Sequence, residues 1–341
     1  MNTTIRKWCE NIMESPKRVA VPIMTHPGIE LIGATVYEAV TNGEIHAQAI
    51  KALYQHYRSA AVTMIMDLTV EAEAFGCQIK FEKDEIPTVT GKLIANREEA
   101  ALLSVPEPTS SKRVREYLKA AELTIKDIQD TPVFPGCIGP FSLAGRLLDM
   151  TEIMTAIYLD PDLVQALLQK CSLFIKQYIK AYKLMGAAGV ILAEPASGLL
   201  GEEECNLYSS DYIKKIVEEF QDENFLIVLH NCGHNGFLAR SMASTGARAL
   251  HFGNAADMTL VLKEVPDDIL VMGNLDPVNV LQTGDPEFVK QKTTELLENT
   301  GNYPNFVLSS GCDLPPGVPQ KNIQAFFEAL DAYNDLHVIP Y

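Results

Sequence analysis

The sequence predicts an α/β fold, a (β/α)8 TIM barrel, and three observations lead to it. Eight short apolar runs recur along the 341 residues. None alternates polar and apolar residues at its centre, which is how a strand buried on both faces reads. Segments with apolar residues at helical spacing separate the runs. Eight such units in a chain of this length favour a closed parallel barrel over a doubly wound open sheet.

In chain order, residues 1–18 read as an N-terminal helical extension outside the barrel. The strand candidates follow: VAVPIM (19–24), AVTMIMDL (61–68), PVFPGCIGP (132–140), GVILAEP (189–195), FLIVLHNC (225–232), ALHFGN (249–254), ILVMGNLDP (269–277) and NFVLSSGC (305–312). Helical periodicity runs over Ile45 to Tyr57, Pro161 to Met185, Tyr208 to Phe220, Pro286 to Leu297 and Asn322 to Tyr333. Residues 69–130 are too long for one strand-to-helix connection. They hold FEKDEIPTVTGKLI, which looks like a hairpin, and the Pro/Ser stretch VPEPTSS. The expectation is one barrel domain over 1–341, with 69–130 an excursion after the second strand, beside the barrel mouth.

Charge and cysteine content narrow the function. Lys and Arg number 28 against 44 Asp and Glu, a net charge of −16. That excludes nucleic acid as an expected partner, because phosphate contacts need a basic footprint. Seven irregularly spaced cysteines, with no signal-peptide pattern, suit a reducing cytoplasm. No stretch approaches the roughly 18 apolar residues of a membrane helix, so no membrane partner is expected.

In such a barrel the chemistry sits at the C-terminal ends of the strands. Those ends carry His26, Asp67, residues 136–140, Glu194, His230, Asn231, Cys232, His234, Asn254, Asp257, Asn274, Asp276, Cys312 and Asp313. The sharpest feature is HNCGH (230–234). Side chains at i and i+2 of a strand point the same way, so His230 and Cys232 project together. Cys312 ends the last strand. Two thiolates and one imidazole with an open fourth position form a known catalytic zinc set, so these three are the metal-ligand candidates. The competing reading is a satisfied core histidine with two buried core cysteines.

Other candidates are weaker. Glu194 ends the fourth strand and stands as a catalytic candidate: a fourth ligand, a base, or a partner of a ligating histidine, against a structural hydrogen bond to the next loop. Asp67 is similar, with Glu71 and Glu73 near it. Asp276 reads as a helix cap. Cys77, Cys171 and Cys205 read as core residues, as does Cys137 among Gly and Pro. His46, His56 and His337 are expected on the surface.

At HNCGH and SSGCDLPPGVP (309–319) the sequence resembles the methylcobamide:coenzyme M methyltransferases of the uroporphyrinogen decarboxylase superfamily. MDLTVEAEAFG (66–76), GPFSLAGRLL (139–148), GNLDP (273–277) and SGCDLPPGVPQKNI (310–323) agree, so the resemblance spans nearly the whole chain. It implies a zinc-dependent methyltransferase. A methyl group would move between a methylated corrinoid, carried by a partner corrinoid protein, and a small thiol such as coenzyme M, held as a zinc-bound thiolate. The alternatives are a relative that demethylates a small methylated donor onto a corrinoid protein, a metal-free decarboxylase-like enzyme, and a non-catalytic zinc- or corrinoid-binding protein. The decarboxylases carry an arginine-bearing RQAGRY stretch near the first strand that receives the porphyrin propionates. The matching place here, PIMTHPGIE (22–30), has no arginine, so porphyrinogen decarboxylation is not expected.

Overall fold

A computed structural model describes residues 4–337. Six parallel strands form one sheet, each beside the next in sequence: Gly136–Ile138, Gly189–Ala193, Leu226–Asn231, Ala249–Phe252, Leu270–Leu275 and Phe306–Ser310. Val62–Thr63 pairs in parallel with Val133–Phe134. Backbone hydrogen bonds complete the circuit. Val21 N–H donates to the Leu308 carbonyl at 2.9 Å and Leu308 N–H to Val19 at 3.1 Å, while Ala60 N–H donates to Ala20 at 2.8 Å. Ile191 N–H reaches the Pro135 carbonyl at 2.9 Å. The eight apolar runs therefore follow one another round a parallel barrel.

The first three runs make less regular strands than their hydrophobicity predicts. Pro22 and Pro135 lie inside the first and third, and each lacks the N–H that a ladder needs. The first run pairs only at Ala20, and the third is split into its two pieces at Pro135.

Inside the barrel the side chains are layered. At the N-terminal end the helix Ile5–Glu14 inserts Ile5, Cys9 and Ile12 beneath Val21, Ile23, Phe134, Ile191, Val228, Ala249, Met272 and Val307. The helix lies outside the strand circuit, as expected, and also closes one end of it. Each of its fully buried aliphatic side chains contributes about 1.5–3 kcal/mol. Above this apolar floor the same strand faces turn polar, with His230, His251 and Ser309 all buried.

Residues 69–130 contain more regular structure than an excursion. The short helix Val70–Phe75 leads to a hairpin, Gln78–Lys80 against Thr88–Thr90. The segment closes with the helix Lys112–Asp127, which packs on Gly43–His56 as a regular outer helix of the barrel. The two backbones come so close that a Cβ on Gly43 would lie 2.3 Å from the Glu116 carbonyl oxygen. Lys119 and Lys51 add ion pairs to Glu44 and Asp127. The expected helices appear at Pro161–Leu184, Asp211–Phe220, Pro286–Asn299 and Gln320–His337. Asp160 and Asp285 cap two of them, each followed by proline in the first turn. Among the described residues no helix is long and apolar enough to cross a membrane.

Candidate metal centre

The strand Leu226–Asn231 is buried along its whole length between its two parallel neighbours. Its two-residue period sends Leu226 and Val228 into the barrel interior, and His230 continues that face. The chain then turns sharply. Asn231 fixes the turn, its Oδ1 accepting from Gly233 N–H at 2.8 Å while its Nδ2 donates to Ser197 Oγ at 2.9 Å. Gly253, just past the neighbouring strand, lies against Cys232. A Cβ there would sit 2.7 Å from the Cys232 Cα, so only glycine lets the two strand ends close up.

Cys312 arrives from the other side, two residues beyond Phe306–Ser310. Its loop is tied back to the first strand. The Asp313 carboxylate accepts from Thr25 N–H at 2.8 Å and from the Thr25 hydroxyl, and Leu314 N–H donates to Ile23 at 3.1 Å. His26 Nδ1 bonds the Leu314 carbonyl at 2.9 Å.

The outcome is a cluster of three soft donor atoms. Cys312 Sγ lies 3.9 Å from both Cys232 Sγ and His230 Nε2, and all three donor atoms fall within 4.8 Å of one another. A tetrahedral zinc ion with ordinary bond lengths separates its sulfur ligands by about 3.8 Å and sulfur from nitrogen by about 3.6 Å. The donor set and its spacing fit that ion. The contact between the Cys312 and Cys232 sulfurs pulls the Cys232 thiol below its ordinary range while raising Cys312. The other five cysteines are buried, and burial pushes their thiols up, Cys77 and Cys205 to about 11.

The imidazole of His230 is held from behind. Its Nδ1 lies 2.8 Å from Nδ1 of His251, the residue directly across in the next strand. His251 Nε2 in turn lies 2.8 Å from Ser309 Oγ, whose hydroxyl donates to the Val21 carbonyl at 2.8 Å. Burial, then the neighbouring His230, holds His251 well below the usual histidine range, so it is neutral. Sequence reasoning missed His251 and Ser309. The available signal was a histidine inside the apolar run ALHF and a serine pair at the end of FVLSS.

Glu194 and Asp67 do not join the donor cluster. Glu194 is buried at the N-terminus of the helix Pro140–Leu148. Its Oε2 accepts from Phe141 N–H at 3.0 Å and its Oε1 from Ser142 N–H at 2.6 Å. Burial pushes its carboxyl up to about 7 against these bonds. Its own N–H donates to the His230 carbonyl at 2.8 Å, so it braces the strand beside the cluster. Asp67 is enclosed by Arg113, by Tyr117 Oη at 2.8 Å, and by the Thr69 N–H and hydroxyl, both at 2.9 Å. Arg113 also pairs with Glu73. Glu71 accepts from Ile138 N–H at 3.0 Å through one oxygen; the other has no partner, and burial pushes its carboxyl up to about 7.

The surface assignment of His46 is corrected. It is 1% exposed, accepts from Ile65 N–H at 3.2 Å, and meets the Tyr117 ring edge-on at 5.1 Å. The helix Lys112–Asp127, which carries Tyr117, covers it. His56 and His337 are exposed as expected. Asp276 caps the turn that follows it, accepting from Val278 and Asn279 N–H.

Residues 14–333 match the family described as Uroporphyrinogen decarboxylase (URO-D), and the chain belongs to that family. Within it, the chain is 31% identical over 309 residues to "Methylcobamide:CoM methyltransferase MtbA" of Methanosarcina mazei, covering 89% of both chains. It is 24% identical over 286 residues to "Uroporphyrinogen decarboxylase" of Tolumonas auensis, covering 80% of this chain and 79% of that one. The fold matches a solved "methyltransferase from Methanosarcina mazei" with a TM-score of 0.86 at 23% identity, over 97% of this chain and 99% of the other.

Proposed function

We propose that this protein is a zinc-dependent methyltransferase that moves a methyl group between a corrinoid carried by a partner protein and a small thiol such as coenzyme M. The observation that carries the reading is the convergence of His230 Nε2, Cys232 Sγ and Cys312 Sγ at the C-terminal mouth of the barrel. The 31% identity to a methylcobamide:coenzyme M methyltransferase over most of both chains supports it.

His230, Cys232 and Cys312 would hold zinc and leave one position open to substrate. Bound there, zinc supplies Lewis acidity that lowers the pKa of a thiol and favours its thiolate at neutral pH. The chain's own part is positioning. Asp313 and Thr25 hold the Cys312 loop against the first strand, and Asn231 sets the turn that presents Cys232. The apolar layer under the cluster, with Val228, Ala249 and Val307, keeps water from reaching it through the barrel. Glu194 is assigned a bracing role, because both its oxygens are taken by Phe141 and Ser142 N–H. Asp67 is assigned to hold Arg113 and Tyr117 in place.

Exposed apolar side chains mark the same end of the barrel. Leu199, Phe237, Leu260 and Val278 follow four successive strands and suit contact with a partner protein. Seven free cysteines suit a reducing cytoplasm.

Elemental analysis paired with a methyl-transfer assay tests the proposal. Protein purified without chelator is expected to carry about one zinc per chain. It should transfer methyl from methylcobalamin to coenzyme M, or in the reverse direction from a methylated thiol. Full transfer by a zinc-free preparation would overturn the metal's role. Residues 21–30 lack arginine, so uroporphyrinogen is expected to remain unchanged, and coproporphyrinogen formation would favour the decarboxylase reading instead.

A further inference from the structure

We infer that His251, anchored by Ser309, sets the tautomer of His230 and so favours metal binding at its Nε2. The inference rests on the zinc reading above for its consequence, but its structural content stands on three hydrogen bonds within the barrel.

The chain of bonds has one consistent direction. The Val21 carbonyl can only accept, so the Ser309 hydroxyl donates to it. With that hydrogen committed, Ser309 Oγ faces His251 Nε2 as an acceptor, and His251 Nε2 carries a hydrogen. His251 is 1% exposed and has no carboxylate among its hydrogen-bond partners, so the ring is neutral and its Nδ1 is bare. Two ring nitrogens 2.8 Å apart share one hydrogen, which His230 must therefore supply from Nδ1. His230 Nε2 is left with its lone pair, and that is the atom facing the two sulfurs.

The register brings the two rings together. His230 and His251 are directly paired across parallel strands, and both point to the barrel interior. Without the relay His230 is free to carry its hydrogen on Nε2, and metal binding then has to shift that hydrogen to Nδ1. His251 is a positioning residue, acting through His230 as buried partners of ligating histidines do elsewhere.

Zinc affinity by chelator competition and the histidine tautomers by long-range 1H–15N NMR test this together. Wild-type protein without metal should show His230 with its hydrogen on Nδ1. His251→Phe should weaken zinc roughly 10–100-fold, the range for such partners, and raise the Nε2–H form of His230. His251→Gln offers an amide oxygen to His230 and an amide N–H to Ser309, so it should recover part of the affinity. Ser309→Ala should lie between wild type and His251→Phe, and it carries the test if His251→Phe fails to fold. A wild-type His230 protonated on Nε2 would overturn the inference, as would unchanged zinc affinity in Ser309→Ala and His251→Gln together with an unchanged tautomer. Failure of wild-type protein to bind zinc would refute the zinc reading, while the tautomer would still judge the relay.

Discussion

Two polar regions sit at the same end of the barrel and use their atoms in opposite ways. Around His230, Cys232 and Cys312 the backing bonds come from one side only, and the donor atoms turn toward each other. Around Asp67 the carboxylate is ringed by Arg113, Tyr117 and Thr69. Both regions are rich in residues that do chemistry. What separates them is whether lone pairs remain available once the neighbours are satisfied. The sulfur corner has them and is arranged to bind. The Asp67 corner has used them internally and is arranged to hold helices together. A buried ionisable residue is therefore a weak pointer to function until its partners are known.

Removing a thiolate should give the largest effect. Cys232→Ala or Cys312→Ala should reduce zinc affinity by more than the roughly 100-fold upper range of indirect partners, and abolish methyl transfer. Metal-free unfolding midpoints should stay near wild type, because the barrel floor is untouched. Zinc retained by both variants would erase the contrast between the two corners.

The opposite result is expected at Arg113, whose side chain is 4% exposed against 1% for Asp67. Arg113→Met strands a buried carboxylate and should cost about 3–5 kcal/mol in chemical denaturation. Zinc content of the folded fraction should be unchanged. Zinc loss without destabilisation would move Arg113 to the binding side of the comparison.

The carboxylate corner should also be visible in the pH dependence of stability. Burial raises Glu71 to about 7 from 4.5, so the fold keeps a proton that the unfolded chain releases. Stability from this group is complete below pH 4.5 and is lost as pH rises to 7. Glu71→Gln removes that loss, and its advantage over wild type should grow by about 3 kcal/mol between pH 4.5 and 8. His46 acts with the opposite sign. Burial lowers it from 6.5 to about 3, so the unfolded chain binds the extra proton and stability falls as pH drops through that window. His46→Gln should flatten the acid limb by about 1.4 kcal/mol per pH unit. Parallel wild-type and variant curves would show that neither group titrates as its burial implies.

The smallest change is expected at Glu194→Gln. The amide keeps one acceptor oxygen where Phe141 and Ser142 N–H use two. The cost should be about 1–3 kcal/mol of stability, with zinc content at the wild-type level. A fall in zinc content with stability unchanged would place Glu194 among the ligands after all.

The sequence by itself determined the periodic elements and the chemistry of the ligands. Apolar runs such as FLIVLHNC and capped helices such as the one begun by Asp160 and Pro161 are local, written in neighbours a few residues apart. The HxC spacing was legible for the same reason, since a strand's two-residue period alone puts His230 and Cys232 on one side. Tertiary structure decided the rest. His251 became the partner of His230 only through the register of two strands, and Ser309 through a third. His46 was buried by a helix whose strongly polar sequence, from Lys112 to Asp127, concealed its barrel role among the residues of an apparent excursion. Glu194 and Asp67 stood at strand ends as the ligands do, and partners far away in sequence, Phe141 and Ser142 for Glu194 and Arg113 and Tyr117 for Asp67, completed the occupation of their oxygens. Periodicity specifies which face a residue occupies. Whether its lone pairs stay free depends on contacts made across the barrel.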